Sequence, residues 1–288
     1  MDGPVDRMGD ALAEIAPDSR RFFVISAGRT GSTLLSAILA DAGAEFGMRT
    51  PEGWDRATGA MEHPDLLTAC RRYSAANGIS PAKPRGAVRR YRWTLLRFLG
   101  KRRLRHALTQ TRFVKVGEAH LLIRPVLKLG YFPSIILSYR RFEDHAISVG
   151  MMVANANLEQ LVEQYNRTYK SGLWLLNTFG GCVVSYEQLI DPGDRSWIEP
   201  LAQVTNLPAG RLLAAQERRT AAPSHRIKAP CFDRAARQTF DDLEALRGLV
   251  IAPSTQALRS WRKSAALQHE AATPSPGANV NSPSCTLV

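Results

Sequence analysis

The sequence predicts an α/β fold, in which a parallel β-sheet is flanked by α-helices and the C-terminal part of the chain is helical. Two stretches carry this prediction: in each, an apolar run of strand length precedes a loop and then apolar residues at helical spacing. They are 21–40, RFFVISAGRTGSTLLSAILA, and 131–153, YFPSIILSYRRFEDHAISVGMMV. The 288 residues also suffice to bury the core of one such domain.

The remaining elements follow from the same periodicities. We expect a short strand near 113–116, a long helix over 157–179 and a third buried strand over 182–187. Further helices are expected over 208–219, 234–249 and 254–270.

One domain is expected over 21–270, after a polar N-terminal segment, 1–20. The tail, 271–288, is rich in Pro, Ser and Asn and is predicted to be disordered. The N-terminal segment lacks the apolar stretch of a signal peptide, and no apolar run has membrane-spanning length. The sequence therefore predicts a cytoplasmic protein.

The charge of the chain predicts anionic partners. The formal net charge is +12 and the pI is about 10.0, which favours binding of nucleotides, nucleic acids, anionic lipids or acidic glycans. Neither zinc-finger spacing nor an RNP-like aromatic strand is present, so no specific nucleic-acid partner is predicted. The cysteines are scattered without a C-x-x-C pair, which favours reduced thiols and no metal site; they are Cys70, Cys182, Cys231 and Cys285.

The loop 27–33 is a candidate anion site. Gly28 and Gly31 allow the backbone to turn tightly, and the positive end of the following helix lies at the same place. Ser32 and Thr33 stand where an N-cap is expected, and their hydroxyls can serve either the helix or a phosphate. A ligand-free Gly-rich turn is the alternative interpretation.

This loop departs from the nucleoside-triphosphate pattern G-x-x-x-x-G-K-[ST]. Ser26 stands five residues before Gly31, and Ser32 replaces the lysine. The cation is instead Arg29, and Arg29-Thr30-Gly31-Ser32-Thr33 resembles the loop P-[KR]-[ST]-G-[ST]-[ST] of sulfotransferases, with Gly28 in place of proline. The resemblance implies a P-loop-NTPase-like sulfotransferase fold. It also implies that residues 28–33 bind the 5′-phosphosulfate of PAPS (3′-phosphoadenosine 5′-phosphosulfate), with Arg29 also catalytic.

A second motif follows the strand in 131–153. Arg140, Asp144 and Ser148 form the pattern R-x-x-x-D-x-x-x-S at a strand-to-helix turn, where arginine can bind a phosphate through two hydrogen bonds. The pattern resembles the 3′-phosphate site of the same family, although Arg141 and Phe142 replace the usual asparagine and proline. The alternative is an arginine pair that only caps a core strand.

Two further segments carry weaker resemblances. Tyr186-Glu187 ends a predicted strand similar to the family's V-x-Y-E-x-L strand. The loop 224–228 lies where many sulfotransferases fold a basic segment over the nucleotide, which implies a cofactor contact for Arg226 and Lys228. The family's R-K-G motif is absent.

Three residues are candidate general bases for an acceptor hydroxyl. Glu62 ends a G-x-x-E motif similar to one in bacterial sulfotransferases. Cytosolic members carry K-T-H at the end of the strand near 113–116; here Lys115 is kept, Gly117 stands at the histidine position, and Glu118 and His120 follow. For Glu62 the alternative is a solvated loop charge, and either Glu118 or His120 can take the place of the missing histidine.

The segment 83–105 contains ten basic residues and no acidic one. Its apolar residues predict an amphipathic helix with a densely cationic face. One interpretation is a solvated cationic face over an apolar stripe that packs on the core. The alternatives are that the helix binds an anionic membrane surface, placing the protein at the inner membrane face, or an acidic acceptor. The stripe residues are Val88, Tyr91, Leu95, Phe98 and Leu99.

Taken together, the motifs predict a PAPS-dependent sulfotransferase that moves the sulfuryl group to an acceptor hydroxyl by in-line, metal-independent transfer. The acceptor is a lipid, a glycan or a small metabolite, and the product nucleotide is 3′-phosphoadenosine 5′-phosphate. The alternatives are a P-loop kinase that uses ATP and Mg²⁺, and a non-catalytic basic membrane-surface protein.

Overall fold

The computed structural model describes residues 15–47, 61–76, 87–117, 119–150, 157–219 and 233–272. Within them the chain forms an α/β fold around a sheet of order β2-β1-β3-β4-β5. Strands β1 to β4 run parallel, and β5 runs antiparallel to β4. The predicted parallel sheet is therefore confirmed except at this edge. The strands are β1 (Arg20–Ile25), β2 (Phe113–Lys115), β3 (Phe132–Tyr139), β4 (Gly181–Ser185) and β5 (Val250–Ile251).

Helices connect and cover these strands, and the described chain after β4 is mainly helical, as predicted. Two short 3-10 turns lie at Pro17–Ser19 and Ala119–Leu122. The α-helices are α1 (Ser32–Asp41), α2 (Pro64–Ala76), α3 (Ala87–Gln110), α4 (Ile123–Leu127), α5 (Phe142–Gly150), α6 (Leu158–Phe179), α7 (Tyr186–Ile190), α8 (Ile198–Thr205), α9 (Ala209–Arg219), α10 (Arg234–Glu244) and α11 (Thr255–Ala272).

Both faces of the sheet are covered, which explains the unbroken apolar run in β1. Successive strand residues point to opposite faces, so Phe23 and Ile25 join the core beneath α3, α6, α10 and α11. Phe22 and Val24 join a second core beneath α1, α8 and α9. All six residues of β1 are buried. A strand buried on both faces reads as a continuous apolar run.

The parallel strands bring four chain segments to one edge of the sheet. The carboxyl ends of β1, β2, β3 and β4 are Ile25, Lys115, Tyr139 and Ser185. Ligands in open parallel sheets bind at this edge. The loop 26–31 and the arginine pair that follows Tyr139 are therefore neighbours in space.

Two residues of the apolar stripe in the basic segment do not face the core, contrary to the interpretation of that stripe as core-packed. Leu95 and Phe98 are 44% and 64% exposed, and Leu99 is half-buried. The side chains of Val88 and Tyr91 lie outside the described residues. The helix itself is present as α3.

Several element boundaries also differ from the predictions. The third strand ends at Ser185, because the Ser185 side chain accepts a hydrogen bond from the Gln188 amide and so starts α7, where Tyr186 and Glu187 lie. In α1 the N-cap is Gly31, and Ser32 is already helical. Helix α11 runs to Ala272, into the segment predicted to be disordered. The rest of that tail lies outside the described residues, as do residues 1–14.

Candidate functional site

The loop between β1 and α1 has an unusual backbone. Gly28, Arg29 and Gly31 have positive φ values of 80°, 48° and 84°. Arg29 is not a glycine, so this conformation costs free energy there and marks a constrained turn. The N-cap Gly31 provides no side-chain hydrogen bond to α1. As in any α-helix, the first N–H groups of α1 have no partners within the helix, and here they also receive no side-chain cap. They lie at the positive end of the helix dipole.

Hydrogen bonds fasten this loop to β3. The Thr30 hydroxyl donates to the Ser138 carbonyl oxygen at 3.2 Å, and the Ser138 hydroxyl donates to the Thr30 carbonyl oxygen at 3.0 Å. The Tyr169 hydroxyl also donates to the Ser138 carbonyl, at 2.9 Å. Thr30 is fully buried. The Thr30 hydroxyl is therefore used to fix the loop, and the expected cofactor contact of Thr30 stays a prediction.

His145 fastens the start of the same loop. Its Nδ1 lies 3.1 Å from the Gly28 carbonyl oxygen, and the ring is 1% exposed. Burial lowers the pKa of His145 to about 4, and the Arg140 charge adds to this, while the bond to Gly28 opposes it. The neutral ring therefore donates its Nδ1–H to Gly28. Sequence reasoning did not select His145, although it lies between Arg140 and Ser148 in the second motif.

Tyr186 closes the other side of the loop. A Cβ atom on Gly31 would lie 2.5 Å from Cδ2 of Tyr186, so only glycine fits there without displacing the ring. The Arg140 guanidinium lies over the same ring, 4.3 Å from its centre. Tyr186 thus holds both the loop and the arginine in place.

The two predicted phosphate motifs line one cavity. Arg29 Nε donates to the Ser148 hydroxyl at 3.2 Å. Burial lowers the pKa of Arg29, and the nearby charge of Arg140 lowers it further. Two cations and several hydroxyls thus face a shared space, and none of its described lining residues is acidic. They are Arg29, Gly31, Ser32, Thr33, Arg140, Ser148 and Tyr186.

Asp144, the middle residue of the second motif, is part of a different interaction. Its carboxylate lies 3.4 Å from Arg141 Nε, and the Glu143 carboxylate lies 3.6 Å from the same atom. Both carboxylates are in the first turn of α5, where negative charge is favourable. Arg141 and Asp144 therefore stabilise the start of the helix, while Arg140 and Ser148 face the cavity.

A second cavity lies on the other side of the loop, toward β2. The Lys115 ammonium donates to the Thr33 hydroxyl at 3.0 Å, so β2 supplies a cation to the first turn of α1. Arg29, Ser32 and Thr33 line both cavities. Among the described residues, five further hydrogen-bonding side chains line the second cavity: Ser26, Glu62, Lys115, Gln164 and Thr168.

Glu62 is the candidate base that the structure places at this cavity. Burial raises the pKa of Glu62, while the charges of Lys115 and Arg71 oppose that shift. A carboxylate with a raised pKa is a better proton acceptor at neutral pH. His120 is exposed in the turn Ala119–Leu122 and is not among the described lining residues. Glu118, Arg226 and Lys228 lie outside the described residues.

Sequence reasoning assigned no role in the site to Lys115, Tyr186, Gln164 or Thr168. Lys115 had a visible signal, because a lysine in a short buried strand needs a polar partner. Tyr186 was noted only as part of a strand. Gln164 and Thr168 are one turn apart on α6, a spacing that carries no chemical signature by itself. Their position became visible only once α6 was placed beside the loop.

Within the described ranges, no group of three or more His, Cys, Asp or Glu side chains is placed to hold a metal ion. None of the helices described there is long and apolar enough to cross a bilayer. No protein-family model matches the chain, and no match was found among curated proteins or solved structures.

Proposed function

We propose that this protein is a PAPS-dependent sulfotransferase with a P-loop-like arrangement of loop and sheet. The observation that carries the proposal is the meeting of the two phosphate motifs. Arg29 of the first contacts Ser148 of the second, and Arg140 lies close enough to lower the pKa of Arg29. The buried Arg140 and the half-buried Arg29 repel each other, and with hydroxyl donors beside them they form a suitable site for phosphate.

The two cavities support a division of roles. The cavity with Arg140 and Ser148 fits the 3′-phosphate of PAPS, since it offers a guanidinium and a hydroxyl. The loop and the first turn of α1 fit the 5′-phosphosulfate, because N–H groups and the helix dipole favour negative charge there. When bound, PAPS supplies the activated sulfuryl group. The cavity beside Lys115 and Glu62 is left for the acceptor hydroxyl.

The side chains around the loop can stabilise the charge that develops on the departing phosphate. Arg29 lines both cavities, and Lys115 reaches Thr33 at 3.0 Å. A single preorganised donor of this kind contributes about 3–4 kcal/mol to transition-state stabilisation. Buried bonds from Thr30 and His145 hold the loop and reduce its reorganisation.

Glu62 is the proposed general base. Its carboxylate lines the same cavity as Lys115, and burial raises its pKa toward the range where it can take a proton from a hydroxyl. General-base catalysis of this kind contributes roughly 10²–10⁴-fold to the rate.

The proposal is tested by transfer of label from PAPS carrying radioactive sulfur to polar and lipid extracts. The wild-type protein should label an organic acceptor and release 3′-phosphoadenosine 5′-phosphate, whereas Arg29→Ala should do neither. If the protein instead transfers label to an acceptor from ATP that carries a radioactive γ-phosphate, and does so only with Mg²⁺, it is a kinase. Binding of the nucleotide without transfer in any extract would favour the non-catalytic alternative.

A further inference from the structure

Helix α3 has one packed side and one side that faces solvent. Leu104 and Leu108 are fully buried, and Gly100 lies close to the Tyr73 ring of α2. Leu95 stands nine positions before Leu104, which places it on the opposite side of a helix with 3.6 residues per turn. The solvent side therefore runs along Leu95, Phe98, Lys101, Arg102 and Arg105, which we name the α3 outer face.

The α3 outer face combines apolar and cationic side chains. Leu95 and Phe98 are 44% and 64% exposed and lie one turn apart. Arg102 and Arg105 are exposed, and Lys101 is half-buried. Leu95 and Phe98 are thus neighbouring exposed apolar side chains bordered by cations, a combination that occurs at membrane and protein interaction sites.

Not all cations of α3 belong to this face. Arg103 and His106 contact the two carboxylate oxygens of Asp65 on α2, at 2.9 and 2.7 Å. These contacts help to hold α3 against α2. Since α3 contains no acidic residue, the charges of Lys101, Arg102 and Arg105 are not balanced within the helix.

We propose that the α3 outer face docks onto a lipid bilayer with anionic headgroups. Lysine and arginine can hold their charges at the headgroups while their aliphatic stems lie along the apolar layer. Leu95 and Phe98 then enter the boundary between headgroups and acyl chains, as in interfacial helices. A nucleic acid or acidic glycan would use the cations but not the aliphatic Leu95, so the bilayer is the partner that uses the whole face. This inference does not depend on the reaction proposed above.

Vesicle co-sedimentation with the full chain tests the inference. We expect binding to phosphatidylcholine vesicles that contain phosphatidylserine, no binding to phosphatidylcholine alone, and weakening with added salt. Two double variants separate the two components of the face: Leu95→Ser with Phe98→Ser, and Arg102→Glu with Arg105→Glu. Each should weaken binding about tenfold or more.

The matched control reverses two exposed cations on another helix, Arg259→Glu with Lys263→Glu on α11. It changes the net charge equally and should bind vesicles as the wild type does. Circular dichroism and the thermal unfolding midpoint, measured on every variant, should match the wild type and exclude misfolding. Failure of the wild type to bind phosphatidylserine vesicles at low salt overturns the proposal. So does unchanged binding of the Leu95/Phe98 variant, because the surface would then be a general polyanion site.

Discussion

Arg29 and Ser148 are joined by a hydrogen bond of 3.2 Å although 119 positions separate them in the sequence. Arg29 belongs to the loop after β1, and Ser148 lies on the helix after β3. Because β1 and β3 are adjacent and parallel, both follow strands that end at the same edge of the sheet. The bond therefore brings the two motifs together in one site.

Removal of Arg140 or Ser148 should weaken binding of 3′-phosphoadenosine 5′-phosphate. For Arg140→Ala we expect a loss of roughly 10–100-fold, because a charge-assisted hydrogen bond contributes about 1.5–3 kcal/mol. Ser148→Ala should cost less, since it removes a neutral donor. Isothermal titration calorimetry measures both affinities. As a control, adenosine 5′-phosphate, which lacks the 3′-phosphate, should bind the wild type and both variants with equal affinity.

Arg141→Ala is the neighbouring control for this pair. Arg141 contacts the buried Glu143 and Asp144, so its loss should lower the free energy of unfolding and leave nucleotide affinity near the wild-type value. If Arg140→Ala and Ser148→Ala both keep full affinity, the 3′-phosphate assignment is wrong.

The sequence predicted the α/β class and the main strands because β1 and β3, which are buried on both faces, each contain a short apolar run: residues 22–25 in β1 and residues 135–137 in β3. For α3, the periodicity of apolar residues could not show which side of the helix packs against α2. Leu95 and Phe98 have the spacing of core residues, yet the packed side is set by Gly100, Leu104 and Leu108.

For the site, the sequence indicated Arg29, Arg140 and Ser148 because their motifs are local in the chain. The contacts that orient them are long-range and left no pattern. Thr30 shows the limit most clearly: its place in the motif suggested a ligand contact, whereas burial against β3 turns its hydroxyl to the Ser138 carbonyl. Tyr186 could be placed beside Arg140 only after β4 was positioned next to β3.

Lys115→Met should lower turnover by roughly 10²–10³-fold, the loss expected when one donor to a developing oxyanion is removed. Methionine keeps much of the side-chain length and removes the charge that reaches Thr33. Lys170→Met, on the exposed surface of α6, is the control for loss of one positive charge. Single-turnover sulfuryl transfer measures the effect, and equal rates for the two variants would remove Lys115 from the mechanism.

Glu62→Gln should lower turnover at least a hundredfold, on the order expected for loss of a general base. Burial raises the pKa of Glu62, so the reactive carboxylate forms only above this raised value. On the acidic side of its pH profile, the wild-type rate should therefore rise with pH, with a midpoint above the ordinary pKa of glutamate. The rate of the Glu62→Gln variant should not show this rise. The His120→Ala variant should retain turnover. If His120→Ala instead loses most of its turnover while Glu62→Gln stays active, His120 and not Glu62 is the general base.

His145 should make the stability of the fold depend on pH. Its folded-state pKa of about 4 lies below the unfolded value. Its stabilising contribution is thus fully present above the unfolded pKa of about 6.5 and is lost as pH falls toward the folded pKa. Between about pH 7 and about pH 5 the wild type should lose about 2 kcal/mol that His145→Gln does not lose. Urea unfolding at both values measures this difference; identical pH dependence would show that His145 is not buried as a neutral ring.

The most direct test of the central claim compares nucleotides by thermal unfolding. With EDTA present, 3′-phosphoadenosine 5′-phosphate should stabilise the wild-type protein by about 2.7 kcal/mol at a hundredfold excess over its dissociation constant. With binding weakened roughly 10–100-fold, the Arg140→Ala variant should keep only about 0.4–1.4 kcal/mol of that gain at the same concentration. Stabilisation by ATP that requires Mg²⁺ and exceeds the effect of 3′-phosphoadenosine 5′-phosphate would contradict the account and favour a kinase.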